Sequence, residues 1–144
     1  MTLPYSRSEK GASREASIRG TLKELGATAI GFMVDEDRNL ILCQFRMSGR
    51  EVTVPIDLMG YATAYQKETG KTAKASMDQA HRAGWAILAD WIKAQATIIR
   101  CGVMSSDEAF LAHVRLPSGD RVGEAITKMG GPLSLPKPKD TPDA

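Results

Sequence analysis

The stretch Thr28-Ala-Ile-Gly-Phe-Met-Val-Asp-Glu-Asp-Arg-Asn-Leu-Ile-Leu-Cys-Gln-Phe-Arg-Met-Ser-Gly-Arg-Glu-Val-Thr-Val-Pro-Ile-Asp57 decides the fold. Taking Ser48-Gly49 as a two-residue turn pairs Met47 with Arg50, Phe45 with Val52, Cys43 with Val54 and Ile41 with Ile56. Arg46 then faces Glu51, and Gln44 faces Thr53, on the opposite side. A slip of one residue would mix the two sets, so the apolar pattern fixes the register. A second turn, centred on Asp37-Arg38, keeps the parity and sets Val34 by Ile41, Phe32 by Cys43 and Ile30 by Phe45. The result is a three-stranded antiparallel meander. One face carries Ile30, Phe32, Val34, Ile41, Cys43, Phe45, Val52, Val54 and Ile56, a patch too large to stay in water. The other is half apolar, with Met33, Leu40 and Leu42 beside Gln44, Arg46 and Thr53. The first helix or a second copy of the chain is expected to cover it. Pro55 has no N–H to donate and suits an outer strand.

The cover for the apolar face lies further along. Ser76-Met-Asp-Gln79 reads as a capping box opening a long helix that runs to about Cys101, with Gly102 as its stop. Met77, Ala80, Ile87, Leu88, Trp91 and Ile98 share one broad face of it. Upstream, residues 13–25 read as a helix with Ser13 as N-cap, Ile18, Leu22 and Leu25 on one side, and Gly26 just past its end. Gly20 inside it costs about 1 kcal/mol relative to alanine, so that helix depends on packing. Residues 59–75 read as a mobile connection with a short helix near Tyr61. A second capping box, Ser105-Ser-Asp-Glu108, opens a short helix carrying Phe110 and Leu111. Pro117-Ser-Gly-Asp120 is a turn, and residues 122–129 form a last short helix. The expectation is one α+β domain over residues 13–129, with a flexible N-terminus (1–12) and a disordered, proline-rich tail (130–144).

Composition narrows the setting. The chain has 144 residues, 42% hydrophobic and 25% charged, as in ordinary globular proteins. Two cysteines exclude a disulfide framework. The first residues show no apolar signal-peptide core, and Asp90 and Lys93 interrupt the most apolar helix, so the expected location is the cytoplasm, away from membranes. Nineteen Lys and Arg against 17 Asp and Glu leave +2, too little by itself to imply a polyanionic partner.

Two stretches of the second half, Trp85-Ala-Ile-Leu-Ala-Asp-Trp-Ile-Lys-Ala94 and Glu108-Ala-Phe-Leu-Ala-His-Val-Arg-Leu-Pro-Ser-Gly-Asp-Arg-Val-Gly-Glu124, resemble a pattern in short proteins of tailed bacteriophages. The resemblance covers about residues 13–126. It implies a phage or prophage origin and a dispensable tail. It implies no activity, and no catalytic role is carried over from it.

The chemistry-bearing residues favour binding over catalysis. Gly70-Lys71-Thr72 invites a phosphate-loop reading, but Tyr65 stands where a Walker motif needs glycine, no strand leads directly into it, and no helix is expected to start at Thr72. Cys43, Cys101, His81 and His113 match no zinc spacing, and Cys43 falls on the apolar face. Asp35, Glu36 and Asp37 crowd one turn, where a solvated turn outweighs a cation site. No nucleophile elbow or Cys–His pair appears, so neither a catalytic residue, a metal nor a cofactor is expected. Arg82, Lys93 and Arg100 fall within about 20° of one another on a helical wheel. With Ala86, Ala89 and Ala96 they make a basic, low-relief stripe opposite the apolar face, suited to a phosphate backbone. Tyr61 and Tyr65, interleaved with Lys67, Lys71 and Lys74, suit stacking on unpaired bases. The expected function is a non-enzymatic phage accessory protein that binds nucleic acid, preferring single strands. The alternative is a small protein that binds and modulates a host protein through the mixed sheet face and Trp85.

Overall fold

Ser48 and Gly49 both adopt positive φ, 52° and 74°, in the computed structural model, which describes residues 2–130. That conformation matches the twist of the strands it joins. Every pair expected between the flanking strands, β2 (Leu40–Met47) and β3 (Arg50–Asp57), is formed. The first strand, β1 (Thr28–Asp35), lies on the other side of β2, in the order β1-β2-β3. Phe32 meets Cys43 and Val34 meets Ile41, but the register shifts between Thr28 and Gly31, so the expected Ile30–Phe45 pair does not form. The extra residue is absorbed at Ala29, whose φ of 53° marks a bulge.

Helices cover one face of this sheet, giving the expected α+β architecture. A 3-10 turn (Ala12–Arg14) leads into α1 (Glu15–Glu24); α2 (Leu58–Thr69) and α3 (Ala73–Arg100) follow the sheet; α4 (Ser106–Ala109), a 3-10 turn (Leu111–His113) and α5 (Val122–Met129) close the described chain. Ser105 and Glu108 form the expected capping box on α4. Ile41, Cys43, Phe45, Val52 and Val54 are buried with Ile18 and Leu22 of α1, Leu58 and Ala62 of α2, and Trp85, Leu88 and Ile92 of α3. Val34, on the same sheet face, remains 41% exposed because it lies at the outer edge of β1.

Several sequence expectations need correction. Residues 59–75 are not a loose connection: α2 fills most of that span, and Leu58, Ala62 and Tyr65, spaced at i, i+4 and i+7, bury its inner side. Thr72, not Ser76, caps α3, its Oγ1 accepting from the Ala75 N–H, while Ser76 is buried and donates to the Thr72 carbonyl at 2.8 Å. Ser13 does not cap α1; it lies within the 3-10 turn. The N-terminal segment, expected to be flexible, is hydrogen-bonded along α2 through Leu3 and Pro4 and along α3 through Tyr5 and Ser8. α1 packs beside α3 on the covered side of the sheet and does not cover the outer face, where Met33 is 53% exposed. The tail expectation, apart from Gly130, concerns residues outside those described.

α3 spans 28 residues, and its backbone lies close against the sheet at Gly84. A Cβ there would stand 2.5 Å from Leu58 Cδ2, 3.2 Å from Ile41 Cδ1 and 3.4 Å from Ile56 Cγ2. Leu58 and Ile41 are fully buried, so they have little room to yield. Gly84→Ala is therefore expected to destabilise the fold by about 1–3 kcal/mol through overpacking, despite alanine's better helix propensity. Gly20 of α1 has open space around its Cα, and Gly20→Ala should stabilise by about 0.5–1 kcal/mol. Urea denaturation midpoints of the two variants should move in opposite directions.

Candidate nucleic-acid interface

The alanines beside Arg82, Lys93 and Arg100 do not face open solvent as expected. Ala86 and Ala96 are buried, because their low relief lets other segments approach α3 closely. α1 packs on one part of this side, and Arg100 reaches across to it, its Nη1 lying 3.3 Å from Glu24 Oε2. The N-terminal segment covers another part. Gln79, itself buried, donates to the carbonyls of Tyr5 (3.1 Å) and Ser8 (3.2 Å). Tyr5 donates its hydroxyl to Asp90 Oδ2 at 2.7 Å, spanning the stretch of α3 that contains Ala86. Arg82 is half-buried and donates from Nε and Nη2 to Gln79 Oε1, at 3.0 and 2.9 Å. Of the three expected stripe cations, Lys93 alone is both exposed and without a charged or hydrogen-bonding partner among the described residues.

The aromatic part of the expected site is also rearranged. Tyr65 is 5% exposed, so its ring is part of the core and cannot stack on a base. Tyr61 lies nearly parallel to it, with centroids 6.5 Å apart, and donates its hydroxyl to the Pro4 carbonyl at 2.6 Å. Burial raises the Tyr61 hydroxyl above the usual tyrosine range. The lysines remain outside: Lys67, Lys71 and Lys74 are exposed around the turn from α2 to α3, and Lys71 Nζ sits 5.6 Å from the Tyr65 ring centre. Gly70 ends α2 at a φ of 71°, and the α3 helix does begin after Thr72. What precedes Gly70 is a helix, not the strand of a phosphate loop.

The N-terminal segment brings Arg7 and Lys10, both exposed, to the helical side, which residue spacing gave no means of finding. It also occupies two of the carboxylates there. The Leu3 N–H donates to both Glu68 oxygens at 3.0 and 3.1 Å, and Asp90 accepts from Tyr5. Among the described residues, Arg7, Lys10, Lys67, Lys71, Lys74 and Lys93 form no ion pair within 4.0 Å, whereas Arg46 pairs with Glu51, Arg50 with Asp107 and Lys128 with Asp120. The helical side is thus the more open to an anionic partner.

The remaining reactive side chains are dispersed. Cys43 is buried, which pushes its thiol up to about 12 despite nearby Arg19, while Cys101 is exposed. Asp35 accepts the Arg38 N–H within its turn. Among the described residues no three His, Cys, Asp or Glu side chains come together as metal ligands would. His113 packs edge-on against Trp91, ring centres 5.3 Å apart, and its Nδ1 lies 3.2 Å from Arg121 Nη1. Since a guanidinium can only donate, that ring nitrogen accepts and the imidazole is neutral. No helix among the described residues is long and apolar enough to cross a membrane. Comparison with protein-family models, curated proteins and solved structures finds no match for the chain.

Burial first and Arg121 second hold His113 below the usual histidine range. The unfolded chain therefore takes up this proton more readily than the folded one, and stability is lost as pH falls below the unfolded value. Urea midpoints should drop between about pH 7.5 and 5.5, and His113→Gln should flatten part of that slope. A thiol reagent should modify Cys101 alone in the native chain, and Cys43 only after denaturant is added.

Proposed function

We propose that this chain is a non-enzymatic accessory protein that binds nucleic acid through the phosphate backbone, consistent with the phage character implied by its resemblance. The observation behind this reading is a set of exposed cations on the helical side that form no ion pair among the described residues: Arg7, Lys10, Lys67, Lys71, Lys74 and Lys93. Cations so placed neutralise phosphates and release counterions, whatever the base sequence. The rings that would favour single strands are engaged elsewhere, Tyr65 in the core and Tyr61 against Pro4. Without exposed rings for bases to stack on, discrimination between single and double strands is weak. Arg82 supports this surface from a half-buried position, and Arg100 contributes little because Glu24 neutralises it.

The second reading, binding of a host protein, draws on the outer sheet face, where Met33, Leu42 and Pro55 line up across the strands. Trp85 drops out of it, being 3% exposed beneath the helices.

Titrating labelled single- and double-stranded DNA and RNA at two salt concentrations separates the readings. The parent should bind all of them with a steep salt dependence. A Lys67→Gln, Lys71→Gln, Lys74→Gln variant should bind every sequence more weakly, its log–log salt slope reduced by about 0.7–0.9 per lost phosphate contact. Arg100→Gln should behave like the parent. If the parent shows no salt-dependent binding, or if the triple variant stays folded and binds like the parent, the nucleic-acid reading is wrong.

A further inference from the structure

Hydrogen-bond parity shows what the edges of the sheet offer. The two-residue loop at Ser48-Gly49 makes Met47 and Arg50 a hydrogen-bonded pair, so odd-numbered residues of β2 direct N–H and C=O toward β3 and even-numbered ones toward β1. Leu42 and Gln44 therefore bond Met33 and Gly31, leaving the backbone groups of Phe32 and Val34 pointing out of the sheet. Two contacts agree with this parity: the Ile30 carbonyl, at the same outer edge, accepts from Arg19 Nη1 at 2.9 Å, and on the far side the Glu51 carbonyl accepts from the Arg115 N–H at 2.9 Å.

The far edge is largely closed. Val114 bridges to Val52, Arg115 holds Glu51 and Thr53, and Pro55 has no proton to give. Along β1, by contrast, no strand is paired with the outer edge among the described residues, and Met33 and Val34, on opposite faces, are 53% and 41% exposed. Such an edge is a template for another strand.

We propose that β1 pairs antiparallel with β1 of a second copy of this chain, about a two-fold axis at Met33. Phe32 then exchanges both backbone hydrogen bonds with Val34 of the second copy, and Met33 lies opposite its own counterpart on the outer face. Charge favours a second copy over an unrelated strand. Arg19, which also holds Glu15 at 3.3 Å, stands at the Ile30 end of the edge, and Asp35, Glu36 and Asp37, countered among the described residues only by Arg38 at 4.0 Å from Asp35, cluster at the other. Antiparallel self-pairing in this register sets Ile30 opposite Glu36, so each Arg19 meets the acidic turn of the other copy. Val34, exposed in the single chain, is covered by its new neighbours. The two sheets become one of six strands, with no open β1 edge remaining.

The test uses the full-length chain, with light scattering and sedimentation from micromolar to submillimolar concentration. The parent should form a dimer. Met33→Lys and Met33→Glu should each remain folded, since Met33 is exposed, and each should be monomeric where the parent is dimeric. An equimolar mixture of the two should recover the dimer at low salt, because opposite charges then meet at the axis. In a Cys101→Ser background, Met33→Cys should form a disulfide-linked dimer on mild oxidation, since opposed residues in a non-hydrogen-bonded pair are close enough to bridge. A parent that is monomeric throughout overturns the proposal. So do single-charge variants that dimerise like the parent, or a mixture that stays monomeric. None of these substitutions touches the helical-side cations, so failure of the nucleic-acid reading leaves this result unaffected, and the reverse.

Discussion

At Gly84 the missing side chain lets the α3 backbone settle against Ile41, Ile56 and Leu58, closer than any other residue type would allow without displacing them. That contact sets how near the long helix lies to the sheet. α2 is tied to the same point, because Leu58, its first residue, is one of the three side chains in contact. The helix layer and the meander are thus held in one arrangement by dispersion contacts that a single methyl would disturb.

From that crossing the rest of the helical layer follows. With one side of α3 committed to the sheet, its opposite side still carries alanines that give a neighbour a close approach, and α1 and the N-terminal segment take it up. Toward the C-terminal end, the cover is aromatic: Phe110 stacks edge-on with Phe45 at 5.1 Å and with Trp91 at 5.7 Å, and Trp91 in turn meets His113. Phe110 is 1% exposed, and this deeply buried ring, together with the Val114–Val52 bridge and the bonds of Arg115 to Glu51 and Thr53, joins the short C-terminal elements to the sheet and α3.

The parts of this fold legible in the sequence were those with redundant signals. The β2–β3 register was specified at once by a turn, by alternation and by opposite charges at Arg46 and Glu51, and each pair formed. The bulge at Ala29 left no trace, since alanine gives no hint of a positive φ. Of α2 only a short helix near Tyr61 is legible, because its buried face is narrow and its other positions are small or polar, although Leu58, Ala62 and Tyr65 are spaced for a longer one. The basic stripe is not legible as partly covered, because alanine is equally at home in water and under another segment, as Ala86 and Ala96 are. A helical wheel places Arg82, Lys93 and Arg100 in line but cannot say that Gln79 and the N-terminal segment engage the first and Glu24 the third. Of the candidate site, the lysines around the α2–α3 turn were recovered as exposed, and the tyrosines beside them were not.

The N-terminal segment is held to α2 and α3 by polar clasps, Leu3 to Glu68, Tyr5 to Asp90, Pro4 to Tyr61, and Tyr5 and Ser8 to Gln79. Most of these bonds are exposed, so water can replace them at modest cost, and among residues 2–11 none is fully buried. Such a segment forms the least cooperative layer of a fold and opens without the core unfolding. Its detachment would uncover Ala86, free Gln79, release the already exposed Asp90 and Glu68 carboxylates from their hydrogen bonds and carry Arg7 and Lys10, together with Glu9, away, lowering the positive potential over the surface they had reinforced. The charge this side of the molecule presents is therefore a property of a local equilibrium as well as of its composition.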